Sequence, residues 1–120
     1  MRLMLGVAGA IAILLGAAPH GASTLSGELV DLQCQLKDAK NKGADHAECA
    51  LSCAKRGATL GILTADSLFT VTGEFTRENN RRLIAFVAKP VVATGTISEK
   101  DGKKLIDVSA IELATSDKAR

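Results

Sequence analysis

All three cysteines of this 120-residue chain and one of its two histidines fall in a single stretch, CQLKDAKNKGADHAECALSC, from Cys34 to Cys53. Thiolate and imidazole are the donors that a tetrahedral structural Zn(II) takes at its four positions. Thiolates also select Cu(I), which accepts two or three soft ligands. At about 100° per residue, a helix through His46, Cys49 and Cys53 sets all three within one face of about 60°. Pairs three and four residues apart meet on such a face. The chain between Cys34 and this helix is long enough to return, so Cys34, His46, Cys49 and Cys53 form a candidate Cys3His site for Cu(I) or Zn(II). The spacing is not that of a familiar zinc finger, and no C-x-x-C-H haem motif occurs.

The compartment bears on how these thiols are read. MRLMLGVAGAIAILLGAAPHGAS places Arg2 ahead of an apolar run from Leu3 to Ala18, with small residues and a proline after it. That is the pattern of a secretory signal peptide, and the run is a little short of the roughly 17–25 residues that span a bilayer. The expected organisation is a leader over 1–23 and one domain over 24–120, periplasmic or secreted, with no stable membrane insertion after cleavage. Oxidising surroundings favour disulfides. The alternative is therefore a Cys34 bond to Cys49 or Cys53 that staples the fold and leaves one thiol spare. A Cys49–Cys53 bond is harder, because side chains one helical turn apart diverge. A third reading, a reactive Cys49 or Cys53 near a helix start, lacks a C-x-x-C motif.

These residues need elements to hold them. Val30, Leu32 and Cys34 alternate with Asp31 and Gln33, which predicts a strand over 26–34. The polar, lysine-rich stretch 35–43 reads as a loop closed by Gly43. ADHAECALSCAKRG then reads as a helix, with Asp45 as N-cap, Glu48 completing a capping box, and Gly57 at the stop. TLGILTADSLFTVTG predicts a hairpin. In RENNRRLIAFVAKP, Leu83, Phe86 and Val87 share a helical face ahead of Pro90. The last two strands join through Asp101-Gly102, a strong hairpin signal, and the tail ATSDKAR is expected to fray.

This order predicts an α+β, mainly β fold: a five-stranded OB-like barrel (oligonucleotide/oligosaccharide-binding) with the Cys/His-bearing helix inserted between strands 1 and 2. Gly73 and Gly95 stand where such a barrel needs bends or bulges. An open antiparallel sheet packed on two helices is the alternative. The segments GELVDLQC, DHAECALSCAKRGATLGILT and VVATGTISEKDGKKLIDVSAIE resemble a group of small exported bacterial proteins of largely unknown function, with an OB-like domain and a Cys/His cluster. The resemblance covers about residues 26–113 and implies fold and export, but no activity.

Composition narrows the function. Without Arg2 the formal charge falls from +2 to near neutrality, and the only aromatics are three phenylalanines. Single-strand nucleic-acid binding relies on aromatic stacking platforms and a charged groove, so nucleic acid is not an expected partner. Lys37, Lys40, Lys42, Lys55 and Arg56 form a basic zone that reads as a solvated face. No G-x-S-x-G, phosphate loop or H-E-x-x-H occurs, and His20 would leave with the leader. Asp31, Asp38, Asp45 and Glu48 read as caps and solvated loop charges. The expectation is an exported, non-enzymatic protein binding Cu or Zn through Cys34, His46, Cys49 and Cys53. The alternative is an exported OB-like scaffold or binding module with a structural disulfide.

Overall fold

The computed structural model describes residues 22–114. The expected leader, up to Gly21, and the expected frayed tail, from Thr115, lie outside the described residues. Ser23 opens the first strand.

Five strands carry the fold: β1 (Ser23–Asp31), β2 (Leu60–Leu63), β3 (Leu68–Thr72), β4 (Pro90–Lys100) and β5 (Lys103–Leu113). Two helices, α1 (Leu32–Lys37) and α2 (Ala47–Lys55), both lie between β1 and β2. The strands form a mixed sheet that closes on itself in the order β1-β2-β3-β5-β4, with β4 returning to β1. Only β3 and β5 run parallel; every other pair is antiparallel. The expected α+β, mainly β class and strand count are those observed. Among the described residues no helix is long and apolar enough to cross a membrane.

Alternating side chains fill the ring. Leu60, Ile62, Val71, Val91, Ala93, Ile106 and Val108 are buried, and Leu29 of β1 joins them. Each large apolar side chain so enclosed contributes about 1.5–3 kcal/mol. Asp101 and Gly102 both take positive φ, 53° and 77°, the backbone that a tight two-residue hairpin requires. Gly95 sits at the register break between β4 and β5. A Cβ there would run into the backbone oxygen of Asp107, so the expected bend is a bulge that only glycine fits.

Three expectations need correction. The first strand does not run on to Cys34. It stops at Asp31, whose side chain accepts the backbone N–H of Cys34 at 3.1 Å and starts α1. Leu29, Val30 and Asp31 are buried in succession: Leu29 points into the ring core, and Val30 on the opposite face lies with Asp31 against Asn41–Gly43, His46 and Ala50.

Second, Asp45 does not cap α2. It lies exposed in a 3-10 turn, Ala44–His46, and His46 occupies the cap position with φ −110° and no side-chain cap bond. Third, no continuous helix leads to Pro90. Glu78, Asn79 and Asn80 take left-handed φ of 54°, 56° and 60°, which a helix interior does not admit. The periodic Leu83 and Val87 are buried all the same. They come from short turns, and Val87 bridges to Leu29 of β1.

Candidate metal centre

Each donor reaches the site by its own route. On α2, Ala50 and Ala54 lie one turn apart, both fully enclosed against the core. Small side chains there let the helix sit close to the ring, and Cys49 and Cys53, each one residue earlier, turn toward the rim. Asn80 holds the far end of α2. Its buried amide donates to the carbonyls of Ala54 at 3.0 Å and Ala58 at 2.8 Å, tying the last turn of α2 to the segment that follows it.

The loop between the helices is stitched from both sides. The Asn41 amide donates to the carbonyl of Cys34 at 2.9 Å, and Gln35 donates to the carbonyl of Asn41 at 3.3 Å. Gly43, at φ 72°, donates its N–H to the Glu28 carboxylate on β1. Its carbonyl in turn accepts the N–H of His46 at 3.1 Å. Backbone and amide groups therefore place His46 before any ligand does.

The outcome is a converging trio. The sulfurs of Cys34 and Cys49 and a ring nitrogen of His46 all lie within 4.8 Å of one another. Around Zn(II), with bonds of about 2.3 Å to sulfur and 2.0–2.1 Å to nitrogen, such atoms stand closer together. Closing the triangle takes a contraction of at most about 1 Å. Cys49 is exposed at the surface, while Cys34 and His46 are half-buried.

Cys53 is not a member of this trio, so the four-residue set reduces to three convergent residues and a neighbour. Its sulfur accepts from the Arg56 guanidinium at 3.5 Å, and its thiol lies beside the Asp31 carboxylate. The three cysteines are free thiols, so the disulfide expected under the alternative reading is not present among them.

Asp31, read from sequence as a cap or a solvated charge, is a cap but is 2% exposed. Besides accepting the Cys34 N–H, its carboxylate lies close enough to the Cys34 and Cys53 thiols to act on both. Burial is the largest influence raising the Cys34 thiol above its ordinary pKa, followed by the Asp31 charge and the two neighbouring sulfurs. The Cys53 thiol is also raised, first by its hydrogen bond to Asp31, with Arg56 acting in the other direction. The spacing of Asp31 three residues before Cys34 is the N-cap signal that could have found it. Asn80 gives no comparable signal, because its partners lie more than twenty residues away.

His46 Nε2 is buried and has no hydrogen-bond partner among the described residues. The cleft that His46 lines with Asp31 and Ala50 is too tight for a water molecule. Leaving such a group unpaired costs about 1–3 kcal/mol. The basic zone of Lys37, Lys40, Lys42, Lys55 and Arg56 is exposed throughout. Comparison with known proteins finds no family model that matches this chain and no curated relative.

Proposed function

We propose that this protein is an exported metal-binding protein. It carries one soft cation, Cu(I) or Zn(II), on Cys34, His46 and Cys49, with Cys53 outside the ligand set. The observation that carries the reading is His46. Its placement is fixed by backbone contacts, one ring nitrogen is buried without a partner, and two thiols converge on the same imidazole. A cation bound through Nε2 would supply the missing partner. Two sulfurs and one nitrogen suit a three-coordinate Cu(I), while Zn(II) would complete its four positions with a solvent molecule.

Export is supported by the leader pattern of residues 1–23 and by the resemblance to small exported bacterial proteins. The strand order and the parallel β3–β5 pair support an OB-like barrel. Fold alone assigns no activity, so the reading rests on the cluster.

The test is to purify the mature chain under reducing, anaerobic conditions and titrate it separately with Cu(I) and Zn(II). The expected result is one bound equivalent, with all three thiols reactive again after chelation. Cys34→Ser, Cys49→Ser and His46→Ala each weaken binding. A fully reduced chain that takes up neither ion would end the proposal.

A further inference from the structure

The trio leaves one sulfur over, and its placement is specific. Cys53 follows Cys49 by one helical turn on α2 and stands outside the 4.8 Å group. It is held from two sides, its thiol toward the carboxylate of Asp31 and its sulfur toward the guanidinium of Arg56 at 3.5 Å. Asp31 also contacts Cys34, so Cys53 is parked against the support of a resident ligand. Cys49, the nearest member of the trio along α2, is the exposed one. A metal ion leaving the site would pass by that open side.

We propose that Cys53 is the exchange ligand of the site: it stays off the cation at rest and takes a bond to it while the ion is handed to an external thiol or chelator. This rests on the metal-binding reading above and turns a storage site into a delivery site. The step needs no change in oxidation state. The Cys53 thiol gives its proton to solvent, its sulfur bonds the cation, and the bond from Cys49 breaks. Cys49 is then protonated, the incoming ligand takes the vacated position, and Cys34, His46 and last Cys53 let go, each sulfur regaining a proton from solvent. A relay of this kind lowers the barrier to release without strengthening the loaded state, so it acts on rate and leaves affinity alone.

The experiment uses the full mature chain loaded anaerobically with one equivalent of Cu(I). Bathocuproine disulfonate is the acceptor, and its coloured chelate is followed in time. Cys53→Ser and Cys53→Ala are expected to bind Cu(I) as tightly as wild type while releasing it about tenfold more slowly. Cys49→Ser loses affinity itself. A second measurement needs no variant: brief alkylation of the loaded wild-type protein, read by peptide mass, should mark Cys53 and spare Cys34 and Cys49. Cys53 shielded like the other two, or affinity lost with its replacement, would make it a resident ligand and overturn the proposal. Unchanged release rates in both variants would overturn it equally. A reduced wild-type chain that binds no Cu(I) sinks the metal reading itself, which is a different result from any of these.

Discussion

The carboxylate of Asp31 accepts the backbone N–H of Cys34 at 3.1 Å while 2% exposed, so one enclosed charge both starts α1 and faces the sulfur that α1 carries. Separating the two roles is straightforward. Asn is as good an N-cap as Asp, whereas Ala loses the cap at about 1 kcal/mol. Asp31→Asn is therefore expected to keep the fold and lower the pKa of the Cys34 and Cys53 thiols, read from thiolate absorbance against pH. Asp31→Ala is expected to give the same thiol change with a lower urea midpoint. Identical titration curves for wild type and Asp31→Asn would contradict the assignment.

His46 carries a conflict between stability and binding. Its buried Nε2 lacks a partner, so His46→Leu should stabilise the metal-free protein by about 1 kcal/mol, at the low end of the unpaired-group penalty. The same change should abolish tight metal uptake. Denaturation and metal titration on one preparation would reveal both. A destabilised His46→Leu protein would mean that the ring is structural.

Acidity acts on the loaded state in a determined direction. Burial and the Asp31 charge raise the Cys34 thiol, and its hydrogen bond to Asp31 raises Cys53. The metal-free Cys34 thiol therefore holds its proton at neutral pH, and a cation must displace it. Free protein binds more protons than loaded protein, so affinity rises with pH and keeps rising past the ordinary thiol range. With the Cys34 proton displaced on binding, the logarithm of the affinity should climb by at least about one per pH unit. A flat profile would exclude thiolate ligation.

Asn80 is the support to remove in order to loosen α2. Its amide bonds the carbonyls of Ala54 and Ala58 from a left-handed backbone. Asn80→Ala forfeits both bonds and puts alanine where φ is 60°, for an expected loss of about 2–4 kcal/mol. Metal affinity should fall with it, because α2 bears Cys49. Hydrogen exchange at the end of α2 is the direct readout.

Gly95 tests the ring. Its missing side chain is what allows the Asp107 backbone to approach, and Gly95→Ala should cost about 1–3 kcal/mol as an overpacked contact. Gly43→Ala is the comparison: no atom would meet its Cβ, and only its positive φ is penalised. The first variant should unfold at the lower temperature.

Legibility in the sequence followed the range of the interactions. The last hairpin and the β2–β3 hairpin were plain, because two-residue periodicity and Asp101-Gly102 are local signals. His46 and Cys49 were nameable from helical spacing, along with Cys53, and Cys34 from a connecting chain long enough to return. The turn that starts α1 was hidden, because Leu29–Cys34 alternates well enough to pass for strand and only the Asp31 side chain ends it. The broken segment 77–90 was misread for the opposite reason. Leu83, Phe86 and Val87 repeat like a helix face, yet Asn79 and Asn80 reverse the backbone so that Asn80 can reach α2. The separation of Cys53 from the trio depends on Asp31 and Arg56, which no spacing rule weighs.

The β4–β5 hairpin makes both closing seams, one along β1 and one parallel to β3. Neither seam can form until the chain has been supplied to its far end, so a polypeptide emerging from its amino terminus cannot complete the ring as it goes. Long-range parallel pairing of this kind is slow, and the sulfurs would meet their surroundings on an unfinished scaffold. On the metal-binding proposal, the race between metallation and oxidation is run during folding, not after it.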